Sequence, residues 1–202
     1  MGDGHPWLAR TLDFVMRPMY PARRLVVPAA CGEVLEIGVG TGLNLALYDP
    51  ARVRRVTALD PDPHMLRRAR ERAAVAPVRV DLVQAAAELI PCTDARFDTV
   101  LVTWTICTVE DPGATLAEVR RVLRPGGRLV FIEHTRSIQP ALARAQRRLT
   151  PVWRRLLGGC HLDRPAVDLV RASGLVVRDV AAVGRERWTL LPVYEGTASK
   201  PT

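Results

Sequence analysis

Carboxylates, glycines, histidines and cysteines stand in this chain where apolar runs end, and their spacing limits the chemistry they can do. The stretch Val34-Leu35-Glu36-Ile37-Gly38-Val39-Gly40-Thr41-Gly42-Leu43-Asn44 closes a short apolar run with an acid, then alternates three glycines with small residues. This pattern predicts a strand, a tight turn and a helix. Gly38, Gly40 and Gly42 would let a ligand approach the main chain, and amides at the helix start would offer hydrogen bonds. A dinucleotide fingerprint, G-x-G-x-x-G, serves a pyrophosphate; here the pattern is Glu-x-Gly-x-Gly-x-Gly. The Glu36 carboxylate would repel a phosphate and could hold an ammonium group. An ordinary glycine-rich turn with no ligand is the competing reading.

A second carboxylate has the same setting. Arg55-Val56-Thr57-Ala58-Leu59-Asp60 reads as a strand ending in an acid, about 20 residues past the glycines, where a carboxylate can accept both hydroxyls of a ribose. Pro61 and Met65 are candidate apolar walls for a purine. Further along, Phe97 to Thr103 is a nearly continuous apolar strand of the kind buried between two helical layers. Thr103, Trp104 and Cys107 follow at the edge where ligands sit in open α/β sheets. His134 closes the next apolar run and is the best candidate for a general base, with His161 second; a core or capping histidine is the alternative. Glu133 should point to the opposite face if the strand persists.

These residues need elements to position them. Asp62 with Pro63 predicts a capped helix running to about Ala76, and Val78 to Val83 alternates as a third strand. Asp111-Pro112 caps a helix that Arg124-Pro125-Gly126-Gly127 terminates, and Arg128 to His134 is the fifth strand. Strand and helix alternate from 33 to 134, which predicts consecutive parallel units. Pro140 to Leu157 reads as a helix interrupted at Pro151, Asp163 as the cap of a helix from Pro165 to Gly174, and Leu175 to Val183 and Trp188 to Thr197 as two last strands. The tail after Gly196 reads as a simple terminus. At the other end, Leu8, Leu12, Val15 and Met16 fit one helical face until Pro18 and Pro21 break it. Phe14, Met19 and Tyr20 there suit either a substrate lid or a helix packed on the sheet edge.

The glycine stretch resembles the first motif of class I S-adenosylmethionine-dependent methyltransferases, whose cofactor carries an amino acid and no phosphate. Leu123-Arg124-Pro125-Gly126-Gly127 before an apolar strand is a second pattern typical of them. The resemblance implies a single doubly wound Rossmann-like α/β domain, with a seven-stranded, mostly parallel sheet and an antiparallel C-terminal strand. Residues 1–30 would form a helical lid, 31–136 the cofactor-binding core and 137–202 the substrate side. Many members carry an Asp near Ala86 for the adenine amino group; its absence leaves adenine to the backbone at Ala87, or to Glu88. The implied cofactor is S-adenosyl-L-methionine, leaving as S-adenosyl-L-homocysteine.

Cys107-Thr108-Val109, Phe131-Ile132-Glu133-His134 and Gly159-Cys160-His161-Leu162-Asp163-Arg164 look like the alkyl thiol methyltransferases of the methyltransferase-like group and their bacterial relatives. That resemblance implies a small thiol as methyl acceptor, with Cys107, Cys160, His134 and His161 lining its pocket. Quinols, phenols, amines or lipid head groups are the alternatives, as is a non-catalytic adenosine- or nicotinamide-binding module. The membrane-anchoring helix that begins the animal members is not found at the start of this sequence.

Composition narrows the classes. The net charge is +8, but every basic residue except Lys200 is arginine. The arginines are scattered in pairs such as Arg23-Arg24 and Arg67-Arg68, which predicts solvated helix faces. No basic strip interleaves with aromatics, so a nucleic-acid partner is not expected. The 4 cysteines lack C-x-x-C spacing and a histidine at metal-ligand intervals, which predicts reduced thiols and no metal. No signal peptide or membrane span is read, so a cytoplasmic protein is expected.

Overall fold

The computed structural model describes residues 6–184 and 189–202. Seven strands form one sheet in the order β3-β2-β1-β4-β5-β7-β6. They are β1 Gly32–Ile37, β2 Val53–Asp60, β3 Arg79–Gln84, β4 Phe97–Thr103, β5 Leu123–His134, β6 Val176–Val183 and β7 Val193–Ser199. The first five run parallel, and β7 is antiparallel to both neighbours, β5 and β6. The strand order reverses between β1 and β4, so the crevice that receives ligands opens beyond Ile37 and Thr103.

The central strands are apolar on both faces because both are covered. Leu35, Ile37, Val100, Val102, Leu129 and Phe131 form one core, under helices α4 (Pro112–Val122) and α6 (Ala166–Ala172). Val34, Val56, Leu101, Val130 and Ile132 form the other, beneath α2 (Tyr20–Val26) and α3 (Pro63–Ala73). Two further helices are α1 (Pro6–Met16), which packs on α3, and α5 (Pro140–Leu156). None of the helices described is long and apolar enough to cross a membrane.

Several local expectations hold. Asp62 caps α3 by accepting from the His64 amide, and Asp111 caps α4 by accepting from that of Ala114. Others are overturned. The helix expected after the glycine turn is only a 3-10 turn, Leu45–Leu47. Pro151 does not interrupt α5: its missing amide would serve the carbonyl of exposed Arg147, which water can satisfy. Asp163 does not cap α6, whose N-cap is Pro165; it accepts instead from the Thr150 hydroxyl at 3.0 Å. The tail after Gly196 is not a free end. It continues β7 to Ser199, paired with Arg128 of β5, and the Lys200 ammonium donates to the Leu123 carbonyl at 2.7 Å. The side chain of Leu8 and the Trp188 start of the last strand lie outside the described residues.

The N-terminal segment lies over the glycine turn. Ala9 and Leu12 of α1 pack on Met65 of α3, whereas Val15 is 42% exposed and leaves the predicted apolar face. Asp13 fastens this contact. It accepts from the Thr41 hydroxyl at 2.5 Å, from Arg68 at 3.1 Å and from Arg72 at 2.7 Å. Burial works to raise the Asp13 pKa, but the two arginines and Thr41 outweigh it and hold the carboxyl below its usual range. Asp13→Ala is expected to free α1 and speed release of S-adenosylhomocysteine by about three- to tenfold, the scale of a partly exposed ion-pair network. Stopped-flow displacement checks this; an unchanged release rate would mean that α1 does not cover the cofactor.

Candidate functional site

The glycine turn is shaped by its contacts. Gly38 has φ +70°, and a side chain there would run into Thr105, so only glycine fits. Gly40, at φ +55°, donates its amide to Asp60 Oδ2 at 2.9 Å. Asp60 Oδ1 accepts from the Asp62 amide, also at 2.9 Å. Each carboxylate oxygen thus keeps a lone pair for a ligand hydroxyl. Burial pushes the Asp60 pKa up to about 6, against the pull of those two amides.

Glu36 is placed differently from its sequence expectation. It is 1% exposed, and each oxygen already accepts one bond, one from the Asn44 amide at 2.8 Å and the other from the Tyr48 hydroxyl at 2.7 Å. A lone pair remains on each oxygen, but burial closes the carboxylate to an ammonium group arriving from the crevice. Burial raises the Glu36 pKa, against the pull of the Tyr48 and Asn44 bonds and of the charge on Arg23 of α2. Arg23 is 7% exposed, contrary to the solvated role its Arg-Arg pair suggested. It donates to Asn44 Oδ1 at 2.7 Å and to the Thr103 hydroxyl at 2.9 Å, and lies 4.8 Å from the centre of the Trp104 ring. Its Nε is buried without a partner among the described residues. Burial lowers the Arg23 pKa to about 10, so it stays charged at neutral pH.

Thr103 and Trp104 therefore sit at the floor of the crevice, with Trp104 at φ +54° as β4 ends. Beside it, Asp13, Met16, Arg17, Tyr20, Pro21 and Leu43 enclose a cavity of about 360 Å³ between the N-terminal helices and the glycine turn. Tyr20 belongs to this wall. Phe14 does not: its side chain is 79% exposed, turned outward on the far side of α1. Met19 is half-buried and outside the residues that enclose the cavity.

The residues expected around adenine divide. Pro61 is exposed beyond Asp60, and Met65 is buried beneath α1. Ala87 belongs to the hydrophobic core with Leu59 and Ile90. Glu88 is committed elsewhere, accepting from the Glu110 and Asp111 amides at 3.0 and 3.2 Å. It holds the entry to α4, a role its sequence position could not reveal.

At the end of β5, alternation sends Glu133 and His134 to opposite faces. Glu133 is fully buried and gathers the amides of Thr105, Ile106 and Cys107 at 2.6, 2.8 and 3.2 Å. Burial raises its pKa against those three donors. His134 reaches Cys160, with Nε2 to Sγ at 2.8 Å, and the Cys160 and Cys107 sulfurs are 3.9 Å apart. The expectation that the cysteines lack a histidine partner is thus overturned. The partners come from three separate segments, so interval counting along the chain could not find them. Hydrogen bonding from Cys107 and then His134 lowers the Cys160 pKa well below that of an ordinary thiol. Burial raises that of Cys107. Burial also works to lower the His134 pKa, but the contact with Cys160 outweighs it and leaves it raised. His161 borders the group through its amide, which donates to the Cys107 carbonyl at 2.8 Å; burial and the nearby arginines lower its pKa.

Comparison with known proteins fits this geometry. Residues 35–131 match the family model described as a methyltransferase domain. The chain is 40% identical over 149 residues to human thiol S-methyltransferase TMT1B, covering 67% of this chain and 57% of that protein. It is 39% identical over 172 residues to the phosphatidylethanolamine N-methyltransferase of Cereibacter sphaeroides, covering 83% and 82% of the two. Among solved structures it is similar to geranyl diphosphate methyltransferase in complex with S-adenosylmethionine, with TM-score 0.71 at 15% identity over 95% of this chain and 89% of that one. The chain spans little more than half the length of the human and rat thiol S-methyltransferases it matches. A sheet reversed at β1/β4, a glycine turn with no room for a side chain at Gly38 and an acid at the end of β2 suit an adenosine-bearing cofactor, and the match to a methyltransferase domain makes it S-adenosylmethionine. On the sequence identity that accompanies them, this chain belongs to the class I S-adenosylmethionine-dependent methyltransferases.

Proposed function

We propose that the protein methylates the sulfur of a small thiol. Bound S-adenosylmethionine supplies a methyl group on a positively charged sulfur. Asp60 would accept the ribose hydroxyls. The floor of Arg23, Asn44 and Thr103 would face the amino-acid end of the cofactor, with Arg23 the charge available to a carboxylate. The acceptor would enter between the N-terminal helices and the edge formed by Trp104, Cys107, His134 and Cys160. There its thiol gives its proton to solvent, and its sulfur forms the new bond to the methyl carbon. The old carbon–sulfur bond breaks with its electron pair passing to S-adenosylhomocysteine.

One observation carries the sulfur assignment beyond similarity to the thiol S-methyltransferases. The histidine that an oxygen or nitrogen acceptor would use as base is 5% exposed and already bonded to Cys160. A thiolate needs no such base, only alignment and exclusion of water. The identity to the phosphatidylethanolamine N-methyltransferase supports a second reading, methylation of an amine head group. Incubation with S-adenosylmethionine and a panel of alkyl thiols, aryl thiols, phenols and ethanolamine lipids, read by mass spectrometry, separates the two. Methylated thiol with unchanged lipid is expected. Methylated lipid with unchanged thiols would replace the first reading by the second.

A further inference from the structure

Cys107, His134 and Cys160 each offer one ligand atom, and these atoms all lie within 4.8 Å of one another. We propose that they form a three-ligand site for a thiophilic divalent cation of the zinc class, with the fourth position open to the acceptor's sulfur. The proposal rests on the thiol reading for that last part only; binding of the cation stands apart from it.

The donor set and its spacing carry the argument. Two sulfurs and one imidazole nitrogen with a vacant fourth position is a ligand combination that zinc accepts. Tetrahedral zinc with Zn–S of about 2.3 Å and Zn–N of about 2.05 Å sets its sulfurs about 3.8 Å apart, and sulfur and nitrogen about 3.6 Å apart. The Cys107 and Cys160 sulfurs are 3.9 Å apart already. His134 Nε2 and Cys160 Sγ, at 2.8 Å, would open by less than an ångström as a direct hydrogen bond gives way to a shared cation.

The ligands are also held in place. Glu133 and the His161 amide fix the Cys107 backbone. His134 is the last residue of β5, in register with Val193 of β7. The Cys160 amide donates to Leu157. Arg164 ties the Cys107 loop to the Cys160 loop through the carbonyls of Ile106 and Val109, at 2.8 and 2.6 Å. Ligands presented by such a braced frame need little rearrangement to close on an ion.

Two further observations point to a ligand. The His134 ring is 5% exposed, yet its Nδ1 has no partner among the described residues. Buried polar groups rarely remain so without an ion or water to serve them, and a half-turn of the ring about Cβ–Cγ would carry Nδ1 to the position now held by Cδ2. The charges also balance: a divalent cation with two thiolates and a neutral imidazole is uncharged, as a dry interior requires. Cys160 is the one partly exposed ligand, and an acceptor would reach the open position from that side. A thiol bound there would lose its proton to solvent at neutral pH, as ligands on such cations do. Its sulfur would then attack the methyl carbon as described above.

The test uses the full chain, stripped with a chelator and saturated with S-adenosylhomocysteine, whose binding reports that the protein is folded. Titration with Co²⁺ is expected to give one equivalent bound, with a sulfur-to-cobalt charge-transfer band in the near ultraviolet. Cys107→Ser and Cys160→Ser should each weaken binding by at least about tenfold and reduce that band. Cobalt bound without the band, or a band unchanged in the double variant, would overturn the site as adventitious binding. Should the variants lose S-adenosylhomocysteine binding, alkylation of the unaltered protein decides: Zn²⁺ should protect Cys160, the partly exposed ligand, and leave Cys31 and Cys92 reactive. Equal labelling with and without Zn²⁺ would overturn the proposal. Thiol methylation should fall on metal removal and return with Zn²⁺. An unchanged rate in metal-free protein would overturn the acceptor role of the fourth position, whereas absence of any thiol methylation would count against the thiol reading instead.

Discussion

Arg23→Met should lower the thermal unfolding midpoint by about 6–12 °C, which corresponds to a loss of about 3 kcal/mol in a chain of this size. The guanidinium is buried with Glu36 as its principal counter-charge, and it donates to Asn44 and Thr103. Methionine can fill much of the same space beside Trp104, so the loss reports charge and hydrogen bonds more than volume. Glu36 would be left in a dry interior with only the dipoles of Asn44 and Tyr48, and an uncompensated buried charge is strongly destabilising. Adding Glu36→Gln removes that charge, so the double variant should recover part of the loss. Strict additivity of the two changes would show that Arg23 and Glu36 do not act as a pair. Calorimetry on the three variants makes the comparison.

Asp60→Asn is expected to weaken S-adenosylhomocysteine binding by about tenfold to a hundredfold, the scale of hydrogen bonds to a charged group. The same substitution should not harm the empty protein at pH 7. Burial raises the Asp60 pKa from 3.8 to about 6, so the folded state holds the proton more tightly than the unfolded chain. Stability therefore falls as pH rises through that interval and stays lower above it, by about 3 kcal/mol at most. A neutral side chain avoids that cost, less what its amide group loses by meeting an N–H of Gly40 or Asp62 donor-to-donor. Cofactor binding has the opposite sign, because ribose hydroxyls donate to the ionised form. Affinity should decline as pH drops through about 6 in the unaltered protein and lose that step in Asp60→Asn. Isothermal titration at several pH values checks both signs. An affinity independent of pH between 5 and 7 would remove Asp60 from the ribose.

Both expectations illustrate how burial turns a charged residue into a functional one. Asp60 was legible because a strand-end acid before a capped helix has a local signature. Arg23 was not, since an Arg-Arg pair in an amphipathic helix looks the same whether α2 faces water or the sheet. Asn44 and Tyr48 likewise carry no local signal: they matter because the segment after the glycines makes only a 3-10 turn and folds their side chains back onto Glu36. Glu88 and Asp163 show the reverse error. Each had a position that suggested a ligand or a cap, and each is instead committed to a neighbouring segment.

By itself the sequence determined the alternation of strands and helices, the glycine turn, the two strand-end acids, the caps at Asp62 and Asp111 and the family. Those features rest on period, turn chemistry and short spacings, which are properties of a few consecutive residues. Tertiary structure alone decided that Arg23 neutralises Glu36, that Asp13 ties α1 to α3 and the glycine turn, and that Cys107, His134 and Cys160 meet at one point. These pairings join residues from 13 (Arg23 and Glu36) to 59 (Asp13 and Arg72) apart in the chain. The order of strands in the sheet, which no local rule specifies, brings them together.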